Sequence, residues 1–378
     1  MKGNTLTFAA LISIYALAWL SCSQPPRQAP ENKFAEEIAR AEENLAANPE
    51  DFAANRELGI LYFKAGRFEK AAAALEKTAR LNPDDPRTTC YLGLSYELSR
   101  QRDLALATFL KYLQIPPQSP YRRWLKGRHE MLSRQKLKED MLALLQQNLE
   151  QHPEAALEQD LAVLPFTYHG QDQKYFILGK GLQQLISNDL SRAPGLKIVE
   201  RRRVQALLEQ ISAHEALLSK LENRTAFIGK TLGAKTVIQG GYNISGEQVI
   251  LDVVYWEVGS DEIPNSITHA DSLKNMAGLQ KKIVLEYLQR KGIQPDPAIM
   301  DSIRGSGLRE LPALVAYSAG LGKEDAGEYR DALLFYRKAA ELAPGFRECR
   351  ERIEQNEDLS LALRDPDKAI TDKEIAEK

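Results

Sequence analysis

Apolar residues recur at helical spacing from Phe34 to Pro117, and the residues themselves return after 34 positions. Leu58, Gly59, Tyr62, Ala71 and Pro83 reappear as Leu92, Gly93, Tyr96, Ala105 and Pro117. A fixed period of this length marks stacked supersecondary units. Small residues at 59, 71, 93 and 105 let paired helices approach, Leu58, Tyr62, Phe68 and Leu75 fill between them, and Pro83 and Pro117 end each second helix. Gly66 supplies a turn, and Arg100 stands in its place one period on. "FAEEIARAEENLAANP" reads as the second helix of an earlier unit, because Pro49 lies 34 before Pro83. Residues 119–158 are helical in pattern but carry no repeat, and read as capping helices.

At Leu161 the period changes. "LAVLPF" has the length of a buried strand, followed by a polar loop, "TYHGQDQ". Leu178, Leu182, Leu185, Ile186 and Leu190 form a helical stripe, and "APGLKIVE" is a second strand, which together imply a parallel crossover. The next helix buries Val204, Leu207, Leu208, Ile211 and Leu218. A short helix, "RTAFIGKTLGA", leads to the strand "KTVIQGGYNI", a turn at Ser245-Gly246, and a return strand with Val249, Leu251, Val253 and Tyr255 on one face. "EIPNSITHA" is a third strand of this meander, and a helix from Asp271 to Arg290 closes the domain.

The 34-residue period and its residue types resemble the tetratricopeptide (TPR) repeat. Residues 316–345 fall on the same template through Gly320, Gly327, Tyr329, Ala332, Tyr336, Ala339, Leu342 and Pro344, with Lys323 where an aromatic is usual. One unit cannot bury its own face, so this hairpin is expected to dock on a neighbouring domain. In the middle domain, Leu161–Phe166, Val199–Leu208 and Leu232–Gly241 resemble, in that order, the CsgG family of curli-secretion lipoproteins, and the region is similar to the amino-terminal domain of TolB-type periplasmic proteins. This resemblance places Arg201, Arg202 and Arg203 at a strand-to-helix junction, with Arg202 and Arg203 solvated. Channel members of the family carry long transmembrane hairpins. Here only 29 residues separate Gly241 from Asp271, and the sheet consumes most of them.

The amino terminus has Lys2, an apolar run from Leu6 to Leu20, and then Ser21-Cys22. This fits a signal peptide, and "WLSC" resembles a bacterial lipobox with Trp19 as its departure, which makes Cys22 the expected lipidation site. Ser23 follows where an Asp would redirect sorting, so the resemblance implies an outer-membrane lipoprotein facing the periplasm. The net charge of −2, or −3 once residues 1–21 are removed, gives no general attraction for polyanions and weighs against nucleic acid as a partner. Cys90 and Cys349 are too few for a disulfide framework, and Cys90 sits in a helical pattern that favours a buried thiol.

No catalytic constellation stands out. "IGKT" (Ile228–Thr231) lacks the first glycine of a phosphate loop, since residue 224 is Arg224, and it follows the wrong element. The five histidines are scattered, His214-Glu215 lacks a second histidine, and Asp252 reads as a solvent-face strand residue. The expected fold is α+β and multidomain: a TPR α-solenoid, a mixed-sheet α/β CsgG-like domain, and a C-terminal TPR-like helix pair. Its boundaries are a signal peptide 1–21, a linker 22–32, repeats 33–118, capping helices 119–158, the α/β domain 159–294, a linker 295–309, the hairpin 310–355 and a mobile tail 356–378. The expected function is that of a non-catalytic, lipid-anchored envelope adaptor for protein partners, in secretion or assembly of surface structures, with no cofactor, no metal and oligomerisation left open. The alternatives are a subunit of a CsgG-type secretion channel and a periplasmic ligand sensor. By the repeat template, the partner groove carries Arg56, Ile60, Phe63 and Lys64, then Cys90, Leu94 and Glu97.

Overall fold

The computed structural model describes residues 33–151, 156–215, 221, 223–260, 262–305 and 307–376. The expected leader and Cys22 lie outside the described residues. The chain divides into two compact units, one formed by Met1–Leu125 with Ile370–Lys378, the other by Lys126–Ala369.

In the first unit, α1 (Ala35–Ala47), α2 (Phe52–Lys64), α3 (Phe68–Leu81), α4 (Pro86–Leu98) and α5 (Arg102–Phe109) form a helical TPR solenoid, with a 3-10 turn at Leu110–Gln114. Each repeat starts on an aspartate cap: Asp51 accepts from the Ala54 amide at 2.8 Å and Asp85 from the Thr88 amide at 2.9 Å. The glycines are required by close approach. A Cβ on Gly59 would lie 2.6 Å from Leu75, and one on Gly93 would lie 2.3 Å from the Phe109 ring. Both turns are left-handed, with φ +75° at Gly66 and φ +63° at Arg100, so arginine holds a conformation that costs a non-glycine residue roughly 1–2 kcal/mol. The repeats are tied by one recurring bond: Tyr96 Oη donates to Glu76 at 2.7 Å, and Tyr62 Oη donates to Glu42, each pair 20 residues apart. Glu42 lies on α1, so α1 plays the second helix of a preceding repeat.

Helix α6 (Pro120–Gln151) runs unbroken where several capping helices were expected. Beyond it, in the second unit, lie β1 (Gln159–Val163), β2 (Thr167–Tyr168), α7 (Leu178–Leu190), α8 (Arg201–Ala213), α9 (Arg224–Leu232), β3 (Ala234–Ser245), β4 (Gln248–Glu257) and β5 (Asn265–Ser272). The sheet order is β1-β3-β4-β5; β1 and the two-residue β2 pair with β3 in parallel, and the β3–β4 and β4–β5 pairs are antiparallel. The hairpin loop is Gly246-Glu247, one residue later than expected, because Ser245 still pairs with Gln248; Gly246 takes the positive φ of +59°. The expected strand in "APGLKIVE" is reduced to one bridge, Leu161 to Ile198, since a turn at Gly195 precedes it and the cap of α8 follows at Glu200. Helix α10 (Met276–Arg290) starts later than Asp271 because β5 runs on through Ser272.

One sheet face, with Leu161, Val163, Ile238, Tyr242, Val249, Leu251, Val253 and Tyr255, packs on α7 and α10. Among the described residues, the other is covered beside β1 and the start of β3, where Ala162, Leu164 and Val237 meet α8, α9 and Met141 and Leu145 of α6. Residues 295–309, expected as a linker, contain α11 (Pro297–Gly305), whose Ile303 is buried. The C-terminal hairpin is α12 (Leu311–Asp325) and α13 (Tyr329–Leu342). The stretch from residue 356, expected to be mobile, continues α14 (Arg347–Ala362) and adds α15 (Pro366–Ala376). Arg352, Asn356 and Leu359 share one helical stripe, and the burial of Asn356 and Leu359 explains the order that the charged composition conceals.

Candidate functional site

Three helix pairs follow one template. From each first-helix glycine, at Gly59, Gly93 and Gly320, the facing residue of the second helix lies 16 positions on, at Leu75, Phe109 and Tyr336, where a Cβ on the glycine would come within 2.6 Å. The turn residue lies 7 positions on, at Gly66, Arg100 and Gly327, all with positive φ. This common register compares the concave-face residues directly.

On the solenoid, the expected groove residues divide. Lys64 is exposed, Arg56, Phe63 and Glu97 are half-buried, and Ile60, Cys90 and Leu94 are buried, at 1%, 0% and 7% exposure. Arg56 pairs with Asp85 at 3.3 Å, and the Phe63 ring meets Phe68 at 5.6 Å and Tyr91 at 5.3 Å. The structure thus groups these residues on α2 and α4, but Ile60, Cys90 and Leu94 are covered.

At the same positions of α12, Tyr317, Leu321 and Glu324 are buried and Asp325 is half-buried with its carboxylate covered. Phe63 and Lys64 correspond to Glu324 and Asp325. Glu324 accepts from Arg134 and Arg352 at 2.8 Å each on one oxygen, and from Tyr336 Oη at 2.7 Å and Asn356 at 3.1 Å on the other. Burial by itself raises its pKa; Arg352 and Arg134 outweigh that and hold it well below the usual carboxylate range. Asp325 accepts both guanidinium nitrogens of Arg201, at 2.7 and 3.1 Å, and Lys180 at 2.6 Å, and its pKa is likewise depressed against its burial. Helix α7 closes the face, since a Cβ on Gly181 would meet Ser318 Oγ at 2.0 Å.

Arg201, Arg202 and Arg203 open α8, as expected of a strand-to-helix junction. Two of the three depart from the expected detail. Arg201 is 5% exposed and is the bidentate partner of Asp325; Arg202, expected in solvent, is half-buried and donates to Glu130; Arg203 is half-buried. The ionic cluster of Glu324, Arg134 and Arg352 was missed at the sequence level. The available signal was an adjacent acid pair at the two template positions that elsewhere carry Phe63 and Lys64.

Two polar clefts, of about 260 and 270 Å³, border this cluster and share Gln184, Asn188, Arg202 and Arg352. Ile228–Thr231 lie within α9 and precede a strand, so they form no phosphate loop. Asp252 lies on the open sheet face and accepts from Thr268 at 2.7 Å. Among the described residues, no group of three or more His, Cys, Asp and Glu is placed to hold a metal, and no helix is long and apolar enough to cross a membrane. Cys90 and Cys349 are buried and form no disulfide, and burial pushes the Cys349 thiol up to about 12.

The tetratricopeptide repeat profile matches residues 32–86 and 56–120. No curated protein matches. Among solved structures, the chain is similar to the C-terminal domain of LpoB from Salmonella enterica, at 16% identity over 35% of this chain and 95% of that one, with a TM-score of 0.25. It is also similar to a tetratricopeptide repeat protein from Parabacteroides merdae, at 12% identity over 85% and 90%, TM-score 0.24. A third likeness is to the APC/C hetero-tetramer Cut9–Hcn1, at 11% identity over 86% of this chain but only 46% of that one, TM-score 0.23.

Proposed function

We propose that this protein is a non-catalytic, lipid-anchored adaptor of the bacterial cell envelope that binds protein partners through its TPR helices and docks through its α/β domain. The observation that carries the reading is the solenoid itself, two matched repeats presenting a concave face with Arg56, Phe63, Lys64 and Glu97 at its accessible positions. Stacked helix pairs use such faces to bind extended or helical protein segments. The three pieces of sequence that resemble the CsgG family fall in β1, the start of α8 and the start of β3, and the docking role rests on that resemblance. Secretion or assembly of surface structures is the process this reading assigns. An outer-membrane, periplasm-facing location follows from Cys22 and the sequence around it.

The anchor is tested by metabolic palmitate labelling, in which Cys22→Ala abolishes the label; an unlabelled, soluble product refutes it. The adaptor role is tested by crosslinked pulldown from intact cells with wild type and Lys64→Glu. One envelope complex enriched by wild type and lost with Lys64→Glu supports it; equal recovery of the same proteins by both overturns the groove assignment. A channel function predicts stepwise conductance in planar bilayers, and none is expected.

A further inference from the structure

Helix α4 is covered on every side. All nine residues from Thr88 to Tyr96 are buried, polar ones included. A surface helix leaves a polar face to solvent, so complete burial needs a partner on each side. The neighbouring repeat helices α2, α3 and α5 supply three. Cys90 and Leu94, which the repeat template assigns to the concave side, are buried as well.

A candidate for that cover lies at the far end of the chain. From Ile370 the polypeptide belongs to the same compact unit as the repeats, although the preceding residues belong to the other. Ile370 is 4% exposed and Ala369 is fully buried, in a terminal segment of alternating charges that has no core of its own. We propose that the concave face of the repeats is a helix-binding groove occupied in this chain by its own C-terminal helix, with Ile370 seated over the Cys90–Leu94 stretch. The partner of this face is therefore an amphipathic helix that presents a small apolar pair between charged residues and must displace the resident segment. The inference rests on the adaptor reading only for the identity of the competitor; the occupancy itself requires no partner.

The test uses the full chain with Ile370→Asp, and Ile370→Leu as control. Iodoacetamide alkylation of Cys90 is followed by mass spectrometry, with Cys349 of the same molecule as the internal reference. Ile370→Asp is expected to speed Cys90 alkylation at least tenfold while Cys349 keeps its wild-type rate, and a synthetic peptide of residues 364–378 is expected to restore protection. Cys90 reacting as slowly as in wild type, or both thiols accelerating together, overturns the proposal. A diazirine amino acid at position 370 gives a second reading in an undisturbed fold. Crosslinks to residues 52–64 or 86–98 support occupancy, and crosslinks elsewhere alone overturn it. Protection of Cys90 with no partner recovered in pulldown would sink the adaptor reading and leave the occupancy standing.

Discussion

The solenoid and the C-terminal hairpin share one template and use its concave face in opposite ways. In α2 and α4 the face carries Ile60, Phe63, Cys90 and Leu94; in α12 the homologous positions end in Glu324 and Asp325, locked by Arg134, Arg352, Arg201 and Lys180. An apolar face exchanges one occupant for another at modest cost. A buried carboxylate held by two guanidiniums does not, because removing either party strands the other in low dielectric. The tyrosine that links successive repeats marks the same divide. Tyr62 and Tyr96 each bond the preceding unit, whereas Lys323 stands at that position of the hairpin, partly exposed and paired with Glu328. The hairpin is part of the second unit's core.

The largest expected effect tests that lock. Glu324→Ala should destabilise the second unit by about 3–5 kcal/mol in urea denaturation, because Arg134 and Arg352 remain buried without their acid; a loss below about 1 kcal/mol would show that the cluster is dispensable. The pH dependence follows from the depressed pKa. The contribution of Glu324 is complete above its ordinary value of 4.5 and declines as pH falls further, toward the lower folded value. Wild type should therefore lose stability on acidification below that point, and Glu324→Gln should flatten this part of the profile.

Arg201→Lys comes next. It keeps the charge but loses the two-pronged grip on Asp325, for about 1.5–3 kcal/mol, read by thermal melting. In the solenoid, Gly93→Ala should cost about 1–3 kcal/mol by driving a methyl into the buried Phe109 ring, and Gly59→Ala less, since Leu75 can turn aside. The smallest effect has the opposite sign. Arg100→Gly should stabilise by about 1 kcal/mol through relief of its left-handed backbone, whereas Gly66→Ala and Gly327→Ala should destabilise by a similar amount. Equal melting temperatures across these three turn variants would break the common register.

Much of this was legible in the chain. The 34-residue period located both repeats, and strict alternation placed Val249, Leu251, Val253 and Tyr255 on one sheet face. The failures share a cause. Charged composition hid α15 and the order of α14, since a handful of apolar contacts at Leu359, Ala362 and Ala369 outweighs many solvated charges. The role of Arg201 was invisible because its partner lies 124 residues away, and no local pattern encodes that distance. The expected groove residues sit on the helices the template assigns, but pattern alone does not reveal that Ile60, Cys90 and Leu94 are covered.

Glu324 draws its two arginines from 190 residues before it and 28 after it. The second unit therefore cannot reach its final closure until synthesis has passed Arg352, and contacts of such long span form slowly. Until then that unit stays open, which suits the export proposed for the chain: the contacts that make the finished unit rigid are among the last to become possible.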